Sequence, residues 1–322
     1  MSVAARLAAS AGRPLDLVGV GEAMVELFAD GPLGTAATLR RAYGGDVLNT
    51  LVAAARAGCA TGFVSRVGDD PFGPALRAAW RAEGVDLSSC PLVEGINGVY
   101  FISLDADGER EFTYRRAGSA AAALRPDHLD AGYLASARVV LLSGITQAIS
   151  RSAQAATLAA ARIARSAGAV VAYDVNHRPR LWADLAATEG RGAGDGTRLA
   201  RAACAELLPY VDVLLVSEPG DLAALGDGPA ERVMDAVASG HELVVRKLGA
   251  EGCAIRGGRS WRHVPPVSPA AVVDSTGAGD AWNAGFLGAL LDGRDPAEAA
   301  ARGNEVAARN LGHRGAIAPR PA

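Results

Sequence analysis

Residues 270 to 283, Ala-Ala-Val-Val-Asp-Ser-Thr-Gly-Ala-Gly-Asp-Ala-Trp-Asn, hold the densest grouping of side chains and glycines able to do chemistry. Ala271, Val272 and Val273 read as a short strand, Gly277 and Gly279 free the backbone to turn, and the apolar run from Ala281 to Leu291 reads as a buried helix. Such a turn aims the backbone N–H groups of Gly277, Ala278 and Gly279 at one point. Backed by a helix dipole equivalent to roughly half a positive charge, these donors make a site for an anion such as phosphate. Asp280 lies in the same first turn and would repel that anion, unless its task is to take a proton from a nucleophile attacking it. The grouping therefore predicts phosphoryl transfer, with Asp280 as general base.

The chain contains its own control for this reading. Gly192-Ala193-Gly194-Asp195 is the same tetrapeptide, inside Thr188-Glu-Gly-Arg-Gly-Ala-Gly-Asp-Gly196. No strand precedes it, and its surroundings read as a flexible surface loop. The tetrapeptide alone is a turn with a capping acid; the flanking strand, Asp274-Ser275-Thr276 and helix are what predict chemistry.

Other candidates are scattered along the chain. Gly44-Gly45-Asp46-Val-Leu-Asn49 opens a helix, where Gly45 lets backbone approach a polyol and Asn49 offers hydrogen bonds; Asp46 reads first as an ordinary helix cap. Gly98 to Ser103 and Arg110 to Arg115 flank Leu104-Asp-Ala-Asp-Gly-Glu109, a hairpin about an Asp-Gly turn. This hairpin carries Tyr100, Tyr114 and Arg116, and period-two geometry puts the last two on one face. Arg178 follows a strand end and is held by Pro179. Two arginines converging from hairpin and sheet suit a carboxylate, each charged hydrogen bond contributing roughly 1.5 to 3 kcal/mol. A neutral hexose offers them nothing comparable. Lys247, the only lysine, either meets phosphates or snorkels from a strand end. Gly249 and Gly252 read as a turn before the strand Cys253 to Arg256, and His177 as a loop packing residue. No Gly-x-x-x-x-Gly-Lys-[Ser/Thr] occurs, and Gly19-x-Gly21 lacks the third glycine of a dinucleotide fingerprint.

The elements that must position these residues alternate. Strands are expected at Leu15 to Gly21, Thr61 to Val67, Arg138 to Ser143, Ala169 to Asp174, Val211 to Ser217 and Glu242 to Leu248. Helices are expected at Asp46 to Gly58, Asp70 to Glu83 and about 150 to 167, 197 to 209 and 229 to 239. That alternation predicts an α/β fold, parallel strands with helices on both faces, and ligands bound beyond the strands' carboxyl ends. Residues 22 to 45 read as loop-rich and, with the hairpin, as a small lid. The 322 residues allow one large core. A net charge of −3 without a basic run argues against nucleic acid as a partner. Four cysteines without a Cys-x-x-Cys pair fit reduced thiols, and no apolar stretch is long enough to span a membrane. Residues 1 to 13 read as a ragged N-terminal extension without the apolar core of a secretory signal.

Together these pieces resemble the ribokinase-like (PfkB-type) carbohydrate kinases, from Asp16 to Pro319. Asp274-Ser-Thr-Gly-Ala-Gly-Asp280 is similar to that family's C-terminal signature and Gly44-Gly-Asp-x-x-Asn49 to its N-terminal one. Within the family, Gly21-Glu-Ala-Met-Val-Glu-Leu27, Phe112 to Ala120, Tyr173-Asp-Val-Asn-His-Arg-Pro-Arg-Leu-Trp182 and Arg314 to Arg320 resemble the 2-keto-3-deoxygluconate kinases. The resemblance implies a three-layer α/β/α kinase domain over 14 to 319, with a β lid from about 22 to 45 and 95 to 118. It implies ATP-dependent phosphorylation of the sugar acid's 6-hydroxyl, with Asp280 as base and the Gly277, Ala278 and Gly279 amides as anion hole. Gly45, Asn49, Tyr100, Tyr114, Arg116 and Arg178 fall on the substrate side, and Asn176, Lys247, Gly249, Gly252, Ser275 and Asn304 on the ATP side. Magnesium is implied with the nucleotide, a monovalent cation is left open, and a cytoplasmic homo-oligomer paired through the lid is expected. Where many members carry Asn-x-x-Glu, this chain has Glu218-Pro-Gly-Asp221, so no metal ligand is assigned. The rival expectations are a fructokinase or 5-dehydro-2-deoxygluconate kinase of the same fold, and a non-catalytic sugar-binding sensor.

Overall fold

Runs such as Val139-Val-Leu-Leu142 and Val213-Leu-Leu-Val216 are apolar at every position, the pattern of strands covered on both faces. In the computed structural model, which describes residues 1–105, 110–192, 194–258 and 260–318, these strands lie inside one nine-stranded sheet. Its spatial order is Arg262–Val264, Cys253–Arg256, Leu243–Lys247, Val213–Ser217, Val170–Asp174, Ala137–Ser143, Leu15–Val20, Thr61–Val64 and Val85–Asp86. Neighbours from Leu243–Lys247 onward are parallel, while the first two strands run antiparallel. Strand alternation divides the core. Leu17, Leu141 and Leu215 face the helices Asp46–Arg56, Ala278–Leu291 and Pro296–Asn310, whereas Val18, Leu142 and Val216 face Arg151–Ser166, Asp195–Leu207 and Ala230–Ala238. The result is the expected three-layer α/β/α architecture.

The chain leaves the central strand Leu15–Val20 toward one edge and returns to its other side at Ala137–Ser143. Crossover loops diverge at that reversal and open a crevice beyond the strands' carboxyl ends. Over it lies a second sheet of four strands, Arg40–Gly44, Met24–Phe28, Gly98–Leu104 and Arg110–Arg115. Met24, Phe28, Tyr100 and Ile102 form its own small core. This is the lid. Residues 22 to 45 are thus more ordered than their composition indicates; Arg40–Gly44 escaped notice because it is mostly exposed and shows no apolar alternation.

Three further expectations change. No strand covers Ala271 to Val273: Val272 and Val273 are 70% and 52% exposed, and the Val273 N–H donates to Leu311 O rather than to a sheet neighbour. A short apolar run does not distinguish a strand from a wall of a cleft. Residues 1 to 13 are not a loose tail. Val3–Ala9 is a helix capped by Ser2, with Val3 and Leu7 buried and Arg6 paired with Asp212 at the amino edge of the sheet. Asp195 begins a helix and accepts from the Gly192 N–H, so the control tetrapeptide marks a surface helix start; Ala193 lies outside the described residues, as do the hairpin tip at 106–109 and the chain end from 319. The described cysteines are free, and no described helix is long and apolar enough to cross a membrane.

Candidate active site

Beyond the carboxyl ends of the strands, beneath the lid, the chain encloses a cleft of about 830 Å³. That is ample for a small polar ligand with part of a nucleotide. Its floor comes from Asp174, Ser217 and Lys247 at strand ends, its far wall from Val272 to Asp280, and its roof from the lid.

The glycine turn has the geometry its sequence demands. Gly277 sits at φ 75°, and a β-carbon there would lie 2.7 Å from Ala316 Cα, so only glycine fits. The helix Ala278–Leu291 starts here with no side chain capping it. Its amino end thus faces the cleft with Gly277, Ala278 and Gly279 on the lining, although the Ala278 N–H also makes a long bond to Ser275 O, 3.2 Å. Ahead of the turn, Asp274 accepts from the Thr276 and Gly315 N–H groups and from Arg110 of the lid, which also donates to Thr276 Oγ1 at 3.0 Å. Burial opposes ionisation of Asp274, but these donors outweigh it and hold the carboxyl below its usual range.

Asp280 lines the cleft and accepts a 2.8 Å hydrogen bond from Asn49 Nδ2. Thr50 Oγ1 donates to the Asp280 carbonyl, which ties the two helices together at this point. Burial, then the negative charges of Asp46 and Asp174, push the Asp280 carboxyl up to about 8, while Asn49 and Lys247 pull the other way. A carboxyl poised near neutrality is suited to accept and release a proton at working pH.

Gly45 is forced by close approach: a β-carbon there would lie 2.2 Å from Glu22 O. Its N–H donates to Asn49 Oδ1 at 3.3 Å, so Asn49 joins the glycine pair to the acid. Asp46 is no ordinary cap. Its Oδ2 accepts from Asn176 Nδ2 at 2.9 Å and from Ser143 Oγ, and its burial raises its pKa. Asn176 adopts a left-handed φ of 37° to make that reach. Lys247 lines the cleft and does not snorkel outward from its strand end. Only 8% exposed, its ammonium binds Asp174 Oδ2 (3.0 Å) and Asn283 Oδ1 (3.1 Å) and ends 3.9 Å from where a Gly279 β-carbon would lie. A flexible stem drawn inward by a buried carboxylate explains this.

On the lid, Tyr100 donates to Glu26 and stacks on Tyr114 at 5.8 Å; the Arg116 guanidinium lies 4.4 Å over the Tyr114 ring and pairs with Glu22 at 2.5 Å. Arg178 also lines the cleft, is exposed, and among the described residues makes only a 3.3 Å bond to His177 O. The two arginines therefore share one chamber with Asp280. Ser275 lies on the lining, whereas Gly249, Gly252 and Asn304 do not. The glycines shape the short turn before Cys253–Arg256, and Asn304 is occupied by Trp282 Nε1 and the carbonyls of Val264 and Pro265. In the divergent segment, Glu218 pairs with Arg246 and Asp221 accepts from Ser217 and His177 N–H groups, so both brace strand ends.

Sequence reasoning passed over Glu22, Asp174 and Arg110 as site residues and ranked Asp46 low. No local pattern marks them; an acid or arginine beside a strand end is ordinary until the fold gathers several around one cleft.

A model of the pfkB family of carbohydrate kinases matches residues 15–322. The chain is 34% identical over 319 residues to the 2-dehydro-3-deoxygluconokinase of Escherichia coli K12, covering 94% of this chain and 97% of that one. It is 32% identical over 288 residues to Fructokinase-1 of Zea mays, covering 88% and 83%. A crystal structure of a PfkB protein from Polaromonas sp. JS666 superposes with a TM-score of 0.81 at 33% identity, covering 92% and 95%. An α/β/α sheet with a β lid, an acid at a glycine-led helix start and matches over nearly the whole chain agree: the protein belongs to the pfkB family of carbohydrate kinases, phosphotransferases that act on a sugar hydroxyl.

Proposed function

We propose that the protein transfers the terminal phosphoryl group of ATP to the 6-hydroxyl of 2-keto-3-deoxygluconate. The observation that carries this reading is the pair Arg116 and Arg178 lining the same cleft as Asp280. Two guanidiniums on the lining serve a carboxylate; an acid of raised pKa at the glycine-led helix start serves an alcohol. Asp280 takes the hydroxyl proton as the new O–P bond forms and the bond to ADP breaks. The Gly277–Gly279 amides and the helix dipole stabilise the charge on the transferring group, and the lid keeps water away. Gly45, Asn49, Tyr100 and Tyr114 hold the sugar. Asn176, Lys247 and Ser275 serve the nucleotide directly, while Gly249, Gly252 and Asn304 shape its surroundings.

Magnesium would enter with the nucleotide and neutralise phosphate charge. Asp174, whose Oδ1 has no hydrogen-bond partner among the described residues, is the carboxylate suited to hold it. Among the described residues no group of three or more acidic, histidine or cysteine side chains is arranged to hold an ion. Lid strand Arg110–Arg115 leaves Phe112 and Tyr114 exposed and is the edge through which a second copy would pair.

A coupled ADP-release assay across sugar acids and neutral hexoses tests the reading. Turnover of 2-keto-3-deoxygluconate well above fructose supports it, and the reverse preference overturns it. The pH profile is a second check. Because the active form of Asp280 is ionised and its carboxyl sits at about 8, kcat/KM rises about tenfold per pH unit and levels off above that value. Asn49→Ala removes a donor that favours the ionised form. The inflection then moves to higher pH and turnover at pH 7 falls, both read from the same profile.

A further inference from the structure

One buried acid in the cleft has no task in the phosphoryl transfer itself. Glu22 follows the central strand Leu15–Val20 and lines the chamber, yet its side chain is 1% exposed. Its Oε1 is held by Arg116 at 2.5 Å. Its Oε2 is buried without a hydrogen-bond partner among the described residues. An orphaned carboxylate oxygen is costly inside a protein, and because Glu22 is one of the residues along the cleft, a ligand that brings a donor to it supplies the missing partner. The ion pair fixes the direction of the carboxyl, and the Glu22 carbonyl, packed against Gly45, fixes its backbone. The site is pre-organised.

Its location narrows the partner. Glu22 adjoins Arg116, where the acid end of the sugar is expected, and feels the charge of Asp46, which in turn acts on Asp280 where the reacting hydroxyl is expected. Between those two ends the substrate chain carries hydroxyls at C4 and C5. We propose that Glu22 Oε2 hydrogen-bonds one of these hydroxyls, making Glu22 a specificity-determining residue that selects among stereoisomers of the sugar acid. This rests on the proposed substrate class. The competing role is structural, with Glu22 serving only to hold Arg116 in place. In that case every sugar acid depends on it equally.

The experiment compares wild type and Glu22→Gln, which keeps the shape and an oxygen for Arg116, on 2-keto-3-deoxygluconate and on analogues inverted or deoxygenated at C4 or C5. For the parent substrate kcat/KM falls about 10- to 100-fold, mainly through KM. For analogues altered at the carbon that Glu22 reads it falls less than about threefold, because they never made the bond, so discrimination at that carbon collapses. ATP affinity measured without sugar stays unchanged. Equal losses across the panel overturn the proposal. Should the variant not fold, wild type decides: equal turnover of all C4 and C5 analogues overturns it, and rejection of one supports it. Failure of the sugar-acid reading would show separately, as wild-type turnover of neutral hexose with none of any acid.

Discussion

Asp280→Asn lowers kcat by about 100- to 10,000-fold, the range expected when a positioned general base is removed. Asparagine keeps the oxygen that accepts from Asn49 and leaves the Gly277 turn in place, so the variant binds ATP and sugar as before. The loss therefore appears in kcat with KM nearly unchanged, measured by ADP release at saturating substrates. Stability should move the other way. The folded protein holds the Asp280 proton far more tightly than an unfolded chain, because burial and the charges of Asp46 and Asp174 oppose ionisation. This penalty is absent below the unfolded carboxyl pKa of about 4, grows as pH rises and is complete above about 8. A neutral amide at this position carries no such penalty, so the variant melts higher than wild type at neutral and alkaline pH and equally at acid pH. Near-normal turnover would remove Asp280 from the mechanism, whatever the melting curves show.

Arg178→Ala raises KM for the sugar acid by about 10- to 150-fold, the equivalent of one charge-assisted hydrogen bond. It leaves KM for ATP and the fold intact, since Arg178 is exposed and makes no ion pair among the described residues. Arg116→Ala is a different experiment. Glu22 would lose the counter-ion that opposes its desolvation, and breaking a buried pair costs about 3 to 5 kcal/mol of stability. Its effect on affinity is meaningful only beside a melting curve. With both arginines needed, the loss falls on acidic sugars alone. A neutral hexose, tested in parallel, loses little from either change, and an equal loss on both sugars would remove the carboxylate from the assignment.

Much of this protein was legible locally. Continuous apolar runs separated by helix-length intervals determine a parallel sheet covered on both faces, because such strands have no polar side to give to water. Gly277 to Asp280 could be assigned a role because turn, helix dipole and acid lie within four consecutive residues, and their mutual geometry is set by the backbone. The Tyr114–Arg116 face was likewise a consequence of strand periodicity. Other elements were not visible. Val272 and Val273 have a strand's composition but serve as an exposed wall, and Arg40–Gly44 has a loop's composition but pairs as an edge strand. In both, long-range packing overrides local preference.

Tertiary structure alone decided which acids matter. Glu22, Asp46, Asp174 and Asp280 come from four distant segments, and nothing near any of them in the chain marks it as part of one cleft. Burial and their convergence raise the Asp280 pKa, their charge draws Lys247 inward, and oxygens of Glu22, Asp46 and Asp174 are left without partners among the described residues. Charge interactions and desolvation depend on distance through space, so a sequence that states each residue's neighbours in the chain cannot state them. Backbone-determined chemistry was therefore readable from residue order, while side-chain electrostatics waited for the fold.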